Sequence, residues 1–192
     1  MPQQSANALW RRECSDGARL QRWYSAQGRA TIKGRSGLKI DQLERLIAEV
    51  QDLQHRLVLI VGTPGGGKSA LLRLLGERHG TVPINLSAVL GRKLLEVPQR
   101  QRRLQVGSLF REAVASYPAN APLMLDNIEL LFDSTLAVSP LDLLRQRAAS
   151  RLVVATWPGE LRGDRLVYAE MGHPEYRDYP TQGQVVFEIP EK

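Results

Sequence analysis

The chain has 192 residues, with 26 Lys and Arg against 20 Asp and Glu and a net charge of +6. That length suits one ordinary domain with a complete core and an appendage, and 43% hydrophobic with 24% charged residues excludes disordered and collagen-like chains. No apolar run nears the roughly 18 residues needed to cross a bilayer, the opening MPQQSANALWRREC lacks the apolar stretch of a secretory signal, and Cys14 is alone, so the expectation is a cytoplasmic protein with no membrane partner.

Residues 1–37 read as a basic, flexible arm, and residues 38–192 as the folded domain. The first 40 residues carry eight basic side chains (Arg11, Arg12, Arg19, Arg22, Arg29, Lys33, Arg35 and Lys39) against Glu13 and Asp16. That excess equals the net charge of the whole chain, so the remainder is balanced. Such an arm can grip DNA electrostatically, with Trp10, Trp23 and Tyr24 free to stack on bases. Composition alone fits a solvated tail better.

Regular structure is expected to begin at Asp41, where Asp41-x-x-Glu44 can close a capping box. Leu43, Leu46, Ile47, Val50 and Leu53 then share one helical face. Leu57–Val61, apolar and branched and leading straight into glycines, reads as a buried parallel strand. Ser69–Arg78 reads as a helix and Val82–Leu86 as a second strand. Helices follow over Ala88–Val97 and Val106–Tyr117, separated by the basic knot Arg100, Arg102 and Arg103, which is a second candidate for DNA contact. Leu123–Asp126 is a third strand, Leu141–Ser150 a helix, Leu152–Thr156 a fourth strand and Val185–Ile189 a fifth, with a short extra strand at Leu166–Ala169. Alternating strands and helices imply an α/β fold: a mostly parallel sheet of about five strands with helices on both faces.

The segment Gly62-Thr63-Pro64-Gly65-Gly66-Gly67-Lys68-Ser69 matches G-x-x-x-x-G-K-[ST] at every fixed position. Glycines let the backbone wrap closely around phosphates, and successive N–H groups then point inward. The N-terminus of the following helix, beginning around Ala70, adds a favourable dipole. Lys68 would reach the β- and γ-phosphates of ATP, and the Ser69 hydroxyl would ligate Mg2+. The strand before the loop and the helix after it are the context this motif requires, and together they define a P-loop nucleotide-binding domain.

Asp126 ends an apolar strand, so it lies at the carboxyl edge where open α/β sheets bind ligands, and it can hold the metal. Hydrolysis also needs a group that orients the attacking water. Asn127 stands where many ATPases have a glutamate, and an amide cannot accept the proton. Glu129 is the nearest substitute if the backbone turns at Asn127; the alternative is a helix-start glutamate facing solvent. Thr156, at the end of the fourth strand, can by analogy hydrogen-bond the γ-phosphate or the water. Trp157 is read as a packed indole. Arg145, Arg147, Arg151, Arg162 and Arg165 are candidates for a transition-state arginine, though each reads more readily as a solvated surface charge. His173-Pro-Glu175 reads as a turn. Scattered histidines make no zinc site, and the absence of an N-K-x-D segment argues against guanine recognition.

The segments LVLIVGTPGGGKSALLRLL, INLSAVLGRKLLEVPQRQR, LMLDNIELLFD, VVATWPGE and YAEMGHPEYRDYP together resemble BrxF, the small P-loop protein of BREX phage-defence systems. The resemblance runs from about Gln42 to Pro180. It implies a compact ATPase related to the AAA+ group, acting beside a DNA methyltransferase and other BREX defence proteins. It carries the phosphate-loop roles onto Gly62, Gly67, Lys68 and Ser69, and the acidic motif onto Asp126, Asn127 and Glu129. Two departures stand out: an arm longer than the family's, and no separate helical lid domain. Without a lid, affinity or turnover is expected to depend on a homo-oligomer, a partner or DNA.

Overall fold

A computed structural model describes residues 36–189. The chain runs as helix α1 (Ser36–Glu49), strand β1 (Leu57–Val61), α2 (Lys68–Arg78), β2 (Ile84–Asn85), α3 (Leu86–Leu95), α4 (Gln99–Ala115) and β3 (Leu123–Asp126). Two short 3-10 turns, Glu129–Phe132 and Ser134–Leu136, lead to α5 (Pro140–Ala148), β4 (Val153–Thr156), β5 (Glu160–Arg162), β6 (Arg165–Tyr168), β7 (Arg177–Pro180) and β8 (Val185–Glu188).

Five strands form one sheet in the order β2-β3-β4-β1-β8, and every pairing in it is parallel. Parallel strands need covered faces, and the side-chain alternation supplies two apolar surfaces. Leu57, Leu59 and Val61 of β1, with Leu123, Leu125, Val153 and Ala155, meet Leu86, Leu90, Val106, Phe110, Leu141 and Leu144 of α3, α4 and α5. Val58, Ile60, Met124, Val154, Val185 and Phe187 meet α1 and α2 through Ile40, Leu43, Ile47, Leu71, Leu72 and Leu75 on the opposite face. The fold is therefore α/β, with a five-stranded parallel sheet between two helical layers. Among the described residues no helix follows α5.

Several elements depart from the sequence reading. Helix α1 starts at Ser36, so Asp41 lies inside it and caps nothing. Asp41 and Glu44 instead hold Arg78 of α2 at 2.9 and 2.8 Å, an exposed pair of contacts worth little to stability. Only Ile84 and Asn85 of the expected second strand pair with β3, and Val82 is 80% exposed. Helix α3 starts at once, because the Asn85 side chain accepts from the Ala88 N–H at 3.0 Å and caps it. Arg100, Arg102 and Arg103 separate no helices; they lie in the first turns of α4.

The stretch between β4 and β8 holds a second sheet, in the order β5-β6-β7, with both pairings antiparallel. The expected short strand at Leu166 is its middle member. Its flanking strands are polar and short, so no periodicity announces them. It docks through Leu166, which is fully buried, and through Tyr168 and Tyr179. Trp157, fully buried, meets Phe132 edge-on at 5.1 Å and Tyr179 at 5.9 Å, the packed role expected of it. Of the basic arm, only Ser36 and Gly37 fall within the described residues; the DNA reading of the rest lies outside them.

Candidate nucleotide site

The glycine-rich loop Gly62–Ser69 leaves the carboxyl end of β1, the strand flanked by β4 and β8. Its glycines are used in two ways. Gly65 and Gly67 adopt left-handed backbone angles, φ 74° and 94°, that side chains resist. Gly62 and Gly66 are needed for space. A Cβ on Gly62 would sit 3.1 Å from both the Cβ and the carbonyl oxygen of Ile189, and one on Gly66 would sit 2.9 Å from the Thr63 carbonyl oxygen. Gly66 N–H donates to that same oxygen at 3.0 Å, closing the turn. Pro64, Gly65 and Ala70 lie exposed on the loop and the first turn of α2.

Lys68 is the first residue of α2, with Gly67 as its cap. Its ammonium donates to the Gly62 carbonyl and, at 3.1 Å, to the Thr63 carbonyl, folding back across the loop. Burial pushes its pKa below the ordinary lysine value, and the negative charges of Glu129 and then Asp126 work against that fall.

Asp126 ends β3, two strands from the loop, with β4 between. Its Oδ1 collects three hydrogen bonds: from the Ser69 hydroxyl at 3.0 Å, the Thr156 hydroxyl at 2.8 Å and the Asn127 N–H at 3.1 Å. Thr156 is the one buried polar residue among those described. A buried hydroxyl must find a partner, and Thr156 finds the carboxylate. Oδ2 of Asp126 accepts no hydrogen bond among the described residues. One carboxylate oxygen and one hydroxyl thus converge beside the loop, a hard-oxygen pair of the kind that holds Mg2+ together with phosphates and water. Among the described residues no cluster of three His, Cys, Asp or Glu side chains offers a richer ligand set.

The backbone does turn at Asn127, whose φ of 52° is left-handed. Asn tolerates that conformation better than other non-glycine residues, which gives a local reason for an amide at this position. The turn carries Glu129 into the first position of the 3-10 segment, exposed and near enough to act on Lys68 more strongly than Asp126 does. At the far end of that segment the Phe132 and Tyr168 rings meet at a 43° tilt with centroids 4.0 Å apart. The Tyr168 hydroxyl lies 3.5 Å from Glu175, and its pKa is raised by burial and by the charges of Glu175 and Glu129.

Sequence reasoning missed two participants. Ser87 grips the Asn127 turn from α3, by hydroxyl and N–H, at 2.6 and 2.9 Å; Tyr168 packs on Phe132, at the end of the segment that Glu129 begins. Both contacts join segments far apart in the chain, which no local pattern reports. Of the arginines considered for transition-state charge, Arg145 pairs with Asp142 at 3.4 Å, Arg165 with Asp178 at 2.5 Å and Arg162 with Glu160. Arg151 donates to the carbonyls of Pro118 and Ala121. Arg100 and Arg103 are exposed, whereas Arg102 donates to the Val97 carbonyl at 3.0 Å. His173 forms the expected turn, accepting from the Glu175 N–H at 3.1 Å.

No protein-family model matches the chain, and no curated protein matches it. Among the described residues no helix is long and apolar enough to cross a membrane.

Proposed function

We propose that this chain is a P-loop ATPase that binds ATP with Mg2+ and hydrolyses it, coupling nucleotide state to contacts with other proteins of a phage-defence system or with DNA. The observation that carries the reading is the 3.0 Å approach of the Ser69 hydroxyl to Asp126 beside an unbroken phosphate loop. The motif supplies the anion cradle and the ammonium, and a separate strand brings the carboxylate to the hydroxyl that the motif assigns to the metal. In this reading Ser69 and Asp126 hold Mg2+, which would neutralise charge on the phosphates. Lys68 leaves the Gly62 and Thr63 carbonyls for the phosphates. Glu129 orients the attacking water and accepts its proton, and Thr156, whose hydroxyl donates to Asp126 at 2.8 Å, holds that carboxylate in place. The BREX assignment rests on the sequence resemblance to BrxF and supplies the partners: other defence proteins, further copies of the chain, and DNA met by the arm and Arg100 and Arg103.

The test is ATP hydrolysis measured against protein concentration, with and without DNA, using Lys68→Ala as the control. Turnover that rises with concentration or DNA and vanishes in Lys68→Ala supports an assembly-dependent ATPase. A second reading, a nucleotide-gated scaffold with negligible turnover, is favoured by the exposure of Glu129. Glu129→Gln separates the two: it abolishes turnover under the first and changes little under the second.

A further inference from the structure

Ser87 is the second residue of α3 and belongs to neither the phosphate loop nor the acidic strand. Its hydroxyl nonetheless makes two hydrogen bonds that bracket Glu129. It donates to the Asn127 carbonyl at 2.6 Å and accepts from the Leu130 N–H at 3.1 Å. Its own N–H donates to the same Asn127 carbonyl at 2.9 Å. The first N–H groups of a helical turn have no partner within it, and Leu130 is the second residue of the segment Glu129–Phe132. The serine satisfies that donor while fixing the residue whose left-handed backbone starts the turn.

Ser87 is itself held in place. Asn85 stands in register with Asp126 across the β2–β3 ladder, and the Asn85 side chain caps α3 one residue beyond Ser87, at Ala88. The metal carboxylate and the serine are therefore tied to one strand pair. The path from Asp126 to Glu129 runs along a turn pinned at both ends.

We infer that Ser87 is a positioning residue for Glu129, fixing where its carboxylate stands relative to Lys68 and the reacting phosphate. This rests on the ATPase reading above. An apolar residue at 87 removes the donor to Asn127 and the acceptor for Leu130 together and keeps only the backbone contact. A glutamate released in this way still lies near the site but no longer holds the water in line, and displacement on that scale costs about 10- to 100-fold in rate. Nucleotide affinity, set by the loop and Lys68, is untouched by the same change.

The experiment compares wild type, Ser87→Ala, Ser87→Cys and Ser87→Thr for ATP affinity and for turnover under saturating Mg-ATP, with Lys68→Ala as the background. Ser87→Ala is expected to lower kcat about 10-fold or more with ATP Kd within about 2-fold of wild type. Ser87→Thr, which keeps the hydroxyl, restores most of the rate. Should Ser87→Ala fail to fold, Ser87→Cys, of similar size but a weak donor, carries the comparison. Equal losses of affinity and rate, an unchanged kcat, or a threonine no better than alanine would each overturn the inference and leave the ATPase reading standing. Wild-type turnover no higher than that of Lys68→Ala overturns the hydrolytic reading and this inference together.

Discussion

The two sheets of this protein are built on opposite terms. The five-stranded parallel sheet is apolar on both faces and so regular that β1 is buried at all five positions. The three-stranded antiparallel sheet is polar, short and half-exposed, with only Leu166 and Val167 buried along its strands. The first holds a loop in place by burying the strand beneath it. The second is held in place by a few aromatic contacts, Trp157, Phe132, Tyr168 and Tyr179. Both reach the segment that carries Glu129, one through β3 and the other through Phe132. Burial in the large sheet fixes the strands beneath the glycine-rich loop and Asp126, whereas aromatic packing and the hydrogen bonds of Ser87 fix the segment that Glu129 begins.

The sharpest way to break that contrast is Trp157→Ala. If the aromatic cluster is what docks the small sheet, this change costs about 3–5 kcal/mol of unfolding free energy, measured by chemical denaturation. A cost below about 1 kcal/mol would mean that the small sheet stands without it. Lys68→Ala tests the large sheet's edge. Apo stability should hold or rise, because a partly desolvated ammonium is removed. Stabilisation by Mg-ATP, about 2.7 kcal/mol at a hundredfold excess over Kd, should disappear in thermal melts.

Thr156→Val keeps the shape and removes the donor to Asp126; the expected loss is about 1–3 kcal/mol, accompanied by weaker Mg2+ dependence of ATP binding. Asn127→Val should cost about 1–2 kcal/mol from its left-handed backbone, whereas Asn127→Gly should be nearly neutral in the same melt. The smallest effect is in pH. Because the folded pKa of Lys68 lies below its ordinary 10.5, the unfolded chain binds more protons between those two values. Stability therefore gains as pH rises through that window, and the cost of charging the buried amine is present in full below it. Lys68→Met should flatten this part of the curve in denaturation titrations.

What could be read in the sequence follows the same division. The glycine-rich loop is a local code, matched within one short segment although Gly62 also answers to Ile189, and β1, β3, β4 and β8 are short apolar runs that composition marks. Asp126 followed from the end of such a run. Elements set by distant contacts were not legible. Asp41 and Glu44 have the spacing of a capping box yet serve Arg78 in another helix. Val82 looks like a strand residue yet lies outside the only two positions that pair. Arg100, Arg102 and Arg103, read as a break between helices, lie inside α4; three positive charges at a helix start oppose its dipole, and packing of Val106 and Phe110 offsets that cost. Ser87 could not have been found, since its partners are some forty residues away.

Strand β8 is the last of the large sheet in the order of synthesis, yet it lies directly against β1, and the Ile189 N–H donates to the Val61 carbonyl at 2.8 Å, beside Gly62. A chain emerging from the ribosome thus makes the glycine-rich loop before the strand that completes the loop's seat. Until β8 arrives, β1 has one open flank, and the first glycine of the loop lacks the wall that fixes it. Such long-range closure slows folding, and it also means that the glycine-rich loop gains its wall only after every other described strand has been laid down.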